Sequence, residues 1–279
     1  MEVLQKIINW AQAEDPIRAL ILQGSRAKER SADELSDYDI SVYCKTSKPY
    51  TEAEEWLSQI GQVWVCVKEM ISFNQETFPT RLVIFAGGIK VDFSFLSLNC
   101  LDQMIKGSLL DEYNQGYQIL LDKDHIAGRF RGPIQKETKK PSKEVFLRTI
   151  QEFWFEAYHV AVYLKRKDLW SVKFRSNAMN TFLLALIEWE AESRNGWNKA
   201  ISPMGKQMAL WTLPSIWQQL QNIFAHFDPK DSWKALFHSL TLFRQLSVDL
   251  SRQLGFDYPE ALDKNMSGFI SKLREGEQC

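Results

Sequence analysis

Three aspartates stand where carboxylates can do chemistry. Asp37 and Asp39 flank Tyr38 at the start of a strand-like run, Tyr38 to Cys44. Side chains on a strand alternate, so the two carboxylates share one face while Tyr38, Ile40 and Val42 take the other. Ile40 and Val42 can enter a core, which leaves the carboxylates side by side at the strand's exposed start. Like charges so close repel unless a cation sits between them. Mg2+ suits such a place, because it takes oxygen ligands from one or two carboxylates and from substrate phosphates. The third acid lies in IKVDFSFL, residues 89–96. Alternation there puts Lys90, Asp92 and Ser94 on one face and Val91, Phe93 and Phe95 on the other. An aspartate inside so apolar a strand needs a partner. That partner is the same metal if the two strands are neighbours, or else Lys90 or Arg81.

A turn suited to phosphate precedes the pair. Ile17 to Gln23 reads as a strand that ends at Gly24-Ser25. Such a turn offers backbone N–H groups with no Cβ in the way and a hydroxyl donor, and Arg26 follows as a partner for a phosphate oxygen. Each feature alone is commonplace. Their conjunction is specific: strand, Gly-Ser, short polar loop, Asp-x-Asp opening a strand, then a lone Asp inside a later apolar strand.

The elements that must carry these groups divide the chain. Further β-rich runs occur at Val63 to Val67, Arg81 to Ala86 and Ile89 to Leu96, with Gly87-Gly88 as a hairpin turn. Helices are expected at Val3 to Ala13, Thr51 to Ile60 and Leu101 to Lys106. Gly128 to Pro141 is polar, basic and proline-bearing, and reads as a linker. Beyond it the apolar period becomes helical: Phe146, Ile150, Phe153, Ala157, Ala161 and Leu164 follow Ser142 as N-cap. Trp233, Leu236, Phe237, Leu240, Phe243 and Leu250 repeat the pattern behind Asp231, with Ala178 to Ser193 and Leu213 to Phe224 between. The expected fold class is α+β: an N-terminal mixed sheet with flanking helices over residues 1–135, then a bundle of four or five helices over 136–279.

Composition narrows the partners. A chain of 279 residues with 45% hydrophobic and 25% charged residues is long enough for a real core. Its net charge of −1 argues against nucleic acid or an acidic membrane as a bulk electrostatic partner. Met1 to Ala11 hold no basic segment ahead of an apolar stretch, so a secretory signal is not expected, and the longest apolar run of the second half, Phe182 to Ile187, is too short to cross a bilayer. Cys44, Cys66, Cys100 and Cys279 are scattered and read as free thiols, so a cytoplasmic location is expected. The four histidines share no ligand spacing.

At these motifs the sequence resembles the nucleotidyltransferases of DNA polymerase β type, whose signature is a Gly-Ser, a D-x-[DE] and a third Asp. More closely it is similar to the aminoglycoside 6-adenylyltransferases, the streptomycin adenylyltransferase family. GSR (24–26), DYDIS (37–41), KVDFSFL (90–96) and LLDKD (120–124) carry the likeness, followed by EFW (152–154), LKRKDLW (164–170), RNGW (194–197) and PMGK (203–206). The resemblance implies an N-terminal catalytic domain, a helical acceptor-binding domain, and a cleft between them for ATP and acceptor. It assigns Asp37 and Asp39 as ligands of two Mg2+ ions, Gly24, Ser25 and Arg26 as phosphate binders, and Asp92 as the third carboxylate, either metal ligand or general base. The implied reaction transfers AMP from ATP to a hydroxyl of a small molecule such as streptomycin. Other acceptors stay open (a lincosamide-like drug, a metabolite, tRNA, a protein side chain), as does an inactive relative.

The helical half is expected to supply the rest. Lys173 and Arg175, with Lys206, are candidates to reach the triphosphate. Glu152 and Glu156 on one helix and Glu188, Glu190 and Glu192 on the next are candidates for an acidic wall that suits a cationic acceptor. Two places depart from the family's pattern. Lys173 to Ser176 stand where acidic or His residues are common, and Trp189-Glu190 where a Trp-His pair is common. The implied chemistry is therefore better supported by the sequence than the implied acceptor.

Overall fold

A computed structural model describes residues 2–27, 33–73, 76–106, 113, 116–130, 140–198, 201–202 and 204–275. The chain forms two compact units, Met1–Lys136 and Glu137–Cys279. Most of the expected linker lies outside the described residues.

The first unit is a six-stranded mixed sheet. Its elements are α1 (Glu2–Ala13), β1 (Ile17–Gln23), a 3-10 turn at Ser25–Ala27, β2 (Tyr38–Cys44), α2 (Lys48–Thr51), β3 (Val63–Phe73), β4 (Glu76–Phe85), β5 (Ile89–Ser97), α3 (Leu98–Lys106) and β6 (Tyr117–Asp122). The order across the sheet is β3-β4-β5-β2-β1-β6, and β2 with β5 is the parallel pair. Gly87 and Gly88 both adopt positive φ, as a tight turn between β4 and β5 requires. Thr51 to Ile60 is not one helix. The chain leaves α2 after Thr51 and makes a separate 3-10 turn at Glu55–Gln59. The break lets Tyr50 and Trp56 both turn inward.

Both faces of the sheet are covered, because alternate residues on its central strands are apolar in both phases. On one face Trp10 of α1 stacks on Trp56 at 4.5 Å between ring centroids, and Tyr50 stacks on Phe95 of β5 at 5.4 Å. Leu20, Ile40, Val42 and Phe93 complete this layer. On the other face α3 sets Cys100, Leu101 and Met104 against Ala19, Ile21, Tyr43 and Leu96. Burial pushes the Cys44 thiol up to about 12 and the Cys100 thiol to about 11, so both are inert at neutral pH.

The second unit is all helical: α4 (Lys143–Lys165), α5 (Leu169–Arg194), α6 (Met208–Trp211), α7 (Pro214–Leu220), α8 (Pro229–Leu254) and α9 (Glu260–Glu275). Ser142 caps α4 as expected, accepting from the Val145 N–H. The cap of α8 is Asp228 rather than Asp231, since Pro229 supplies the first helical residue and Asp228 accepts from the Asp231 N–H. Asp231 caps the preceding loop instead, through the His226 N–H at 2.8 Å. Phe153 of α4 and Phe243 of α8 stack at 3.5 Å in the core. Among the described residues no helix is long and apolar enough to cross a membrane.

Candidate active site

Two strand pairings assemble the acidic site at one end of the sheet. The parallel β2–β5 register puts Asp39 beside Asp92, and the antiparallel β1–β2 register puts Gln23 beside Asp39. Asp37 precedes β2 by one residue, so alternation returns its carboxylate to the face of Asp39. One carboxylate oxygen from each of Asp37, Asp39 and Asp92 lies within 4.8 Å of the other two. The structure thus brings together the three acids that the sequence singles out.

Gly24 closes the site from the end of β1. Its φ is +73°, and a Cβ built there would stand 2.2 Å from Asp39 Oδ2. The position needs glycine both for its backbone conformation and for the close approach of a carboxylate. Ser25 and Arg26 follow in the 3-10 turn, whose Ala27 N–H donates to the Gly24 carbonyl at 3.3 Å. Arg26 braces the loop ahead of Asp37: its Nε donates to the Ser36 carbonyl at 2.7 Å and its Nη2 to the Glu34 carbonyl at 3.3 Å. Its guanidinium lies 4.1 Å from the centre of the Tyr38 ring.

From the sequence, Lys90 is only an alternative partner for Asp92. In the structure its Nζ donates to Asp92 Oδ2 at 2.6 Å and to Asp37 Oδ2 at 2.9 Å. The signal for the first contact is in the chain, because Lys90 and Asp92 are two apart on one strand and must share a face. Burial disfavours the charged ammonium, but the hydrogen bonds to Asp92 and Asp37 outweigh it and hold its pKa above the ordinary lysine value. Arg81, the other alternative, points elsewhere, donating to the Thr80 and Thr51 carbonyls. Gln23 carries no motif that would mark it; its Oε1 is buried on the Asp39 face without a hydrogen-bond partner among the described residues.

In the helical unit the candidate residues have partners of their own. Lys173 Nζ donates to the Ala225 carbonyl at 2.9 Å, to Ser232 Oγ at 2.8 Å, and to the His226 carbonyl, tying α5 to the start of α8. Arg175 Nη1 reaches both oxygens of buried Glu156, at 3.1 and 3.3 Å. Arg194 Nε donates to buried Glu190 at 2.7 Å, and Arg148 lies 3.7 Å from Glu152. Glu188 faces the Gly205 and Met204 N–H groups, which favour its charged form, but its Oε1 is buried without a hydrogen-bond partner among the described residues. Burial raises its carboxyl pKa, and burial with the neighbouring Glu188 does the same for Glu192. The acids therefore divide into three paired with arginines and two that are not.

Comparison with known proteins points to one family. Residues 1–273 match the family described as streptomycin adenylyltransferase. An aminoglycoside 6-adenylyltransferase of Campylobacter jejuni is 24% identical over 98% of this chain and 95% of its own. One from Bacillus subtilis (strain 168) is 25% identical over 100% and 97%, and one from Staphylococcus aureus 24% identical over 96% of each. A Gly-Ser turn closed against an Asp-x-Asp pair, a third Asp in register on the neighbouring parallel strand, and a family match along nearly the whole length all lead to one assignment: the chain belongs to the streptomycin adenylyltransferase family and is a nucleotidyltransferase.

Proposed function

We propose that this chain transfers AMP from ATP to a hydroxyl of an aminoglycoside, with streptomycin the first acceptor to test, and releases pyrophosphate. The observation that carries the reading is the carboxylate cluster at the Gly24 turn. It fits a divalent cation, since three carboxylate oxygens lie within 4.8 Å of one another and Asp92 Oδ1 is buried without a hydrogen-bond partner among the described residues. Asp37, Asp39 and Asp92 would hold Mg2+, two ions in the family's manner, and Mg2+ when bound supplies charge neutralisation and polarisation of phosphate oxygens.

The chain's own groups do the remaining work. Backbone N–H groups of the Gly24 turn and the Ser25 hydroxyl bind triphosphate oxygens and orient the α-phosphorus, and Arg26 joins them only if its guanidinium leaves the Ser36 and Glu34 carbonyls. Asp92 either ligates the metal or takes the acceptor's hydroxyl proton. Gly24 lets Asp39 approach the turn. In the helical unit, Lys173 and Arg175 stay candidates for the triphosphate only if they leave their present partners. Glu188, with Glu192, is the candidate best suited to a cationic acceptor, because Glu152, Glu156 and Glu190 already have arginines beside them. ATP as donor and free thiols at Cys44, Cys66 and Cys100 fit a cytoplasmic enzyme, and the net charge of −1 weighs against nucleic acid as the acceptor.

The test is pyrophosphate release from ATP and Mg2+ across aminoglycosides, lincosamides and tRNA. Release that depends on an aminoglycoside supports the reading. Release driven only by another hydroxyl compound would leave the nucleotidyltransferase and remove the drug. The arginine partners of Glu156 and Glu190, which cancel much of the expected acidic wall, are the observation favouring that second reading.

A further inference from the structure

Lys90 has a role that the three carboxylates do not explain. Its ammonium touches two of the three proposed metal ligands, at 2.6 and 2.9 Å, while its own side chain stays 40% exposed. The contact follows from the fold. Lys90 and Asp92 share a face of β5, and the Tyr38–Val91 pairing sets Lys90 level with Asp37. A cation entering the cluster meets a positive charge already bonded to its ligands, whether it takes the same oxygens or the unpartnered Asp92 Oδ1.

We propose that Lys90 is a tethered counter-ion of the metal site. It neutralises the cluster when no divalent cation is bound, and it competes with such a cation for Asp37 and Asp92. It is then taken over by the triphosphate, so that metal and nucleotide enter together. The inference rests on the metal reading above. Its signature is a reversal of sign: Lys90 opposes metal binding by itself and favours metal with nucleotide. A lysine that merely held two strand ends together would favour both.

The experiment is an electron paramagnetic resonance titration with Mn2+, with and without a non-hydrolysable ATP analogue. It compares the full-length wild type with Lys90→Met, Lys90→Gln and Lys90→Arg, each checked for folding by circular dichroism. Without nucleotide, Lys90→Met and Lys90→Gln should bind Mn2+ about tenfold more tightly than wild type, the combined worth of two half-exposed ion pairs. Lys90→Arg, which keeps the charge, should stay near wild type. At saturating Mn2+ the analogue should bind about tenfold more weakly to the uncharged variants. Mn2+ affinity unchanged or weakened in both uncharged variants, or analogue affinity unchanged, overturns the proposal. If wild type takes up no Mn2+ under either condition, the metal reading fails and this inference with it. The wild-type titration alone distinguishes that outcome from a negative result at Lys90.

Discussion

Replacing Gly24 by alanine separates backbone strain from damage to the site. Alanine at φ +73° carries a left-handed penalty of about 1–2 kcal/mol. Its methyl would also meet Asp39 Oδ2 at 2.2 Å, with Cγ at 3.2 Å, so the carboxylate must retreat by at least about 1.2 Å to reach an ordinary contact distance. A misplacement of that size at a reacting centre costs on the order of a hundredfold in rate. Gly88→Ala is the internal control: its φ is +76°, but nothing lies within 4 Å of the added Cβ. Both variants should lose the backbone term in thermal melts, with Gly24→Ala losing at least as much as Gly88→Ala because of its added contact with Asp39. Gly24→Ala should lose about two orders of magnitude in kcat for acceptor-dependent pyrophosphate release, and Gly88→Ala should keep nearly all of it. If Gly24→Ala turns over within about threefold of Gly88→Ala, the close approach of Asp39 is not what the reaction needs, and the reasoning fails.

Two other substitutions probe the charges. Asp92→Asn should cut turnover by more than about a hundredfold and lower the melting temperature of the metal-free protein, because it removes the charge of one of the two carboxylates bonded to Lys90. An unchanged or raised melt would show that the Lys90 contacts add no stability, since relief of carboxylate repulsion alone acts in that direction. Glu188→Gln should stabilise the protein near pH 8. A carboxyl whose folded pKa is raised contributes stability below its unfolded pKa, and that stability is lost as pH rises through the folded value. Glutamine removes the loss, so melting curves of variant and wild type should diverge as pH rises from 4 to 8. If Glu188 also meets a cationic acceptor, the variant's KM for that acceptor should rise while KM for ATP holds.

Much of this site is legible in the amino-acid sequence, because its logic is local. Asp37 and Asp39 share a face by strand alternation, Gly24 ends a strand, and Asp92 is conspicuous as an acid among Val91, Phe93 and Phe95. The parallel pairing that makes Asp92 their neighbour is tertiary, and no spacing along the chain encodes it. Lys90 is legible as Asp92's neighbour but not as a bridge to Asp37, for the same reason. Strand β6 escapes a sequence reading because Tyr117–Asp122 lies at the sheet edge, half-buried except at exposed Gln118, without the clean alternation of a one-faced strand. Strands β3 and β4 extend beyond the Val-rich runs that mark them. Their hairpin carries residues such as Lys68, Glu69, Thr77 and Pro79, where cross-strand pairing rather than hydrophobicity holds the chain. In the helical unit, the helical period and the Ser142 cap are readable. The arginines opposite Glu156 and Glu190 belong to helix packing and to a turn of α5, and letters that suggest an acidic wall describe, in part, internal ion pairs.

The proposed reaction joins AMP to an aminoglycoside at the Asp37–Asp39–Asp92 site. Its most direct test is mass spectrometry of streptomycin incubated with ATP, Mg2+ and either wild type or Asp39→Asn. Drug heavier by one AMP unit is expected with wild type, and unmodified drug with the variant. Unmodified streptomycin from a wild type that adenylylates another acceptor would contradict the drug assignment, and equal modification by Asp39→Asn would contradict the site.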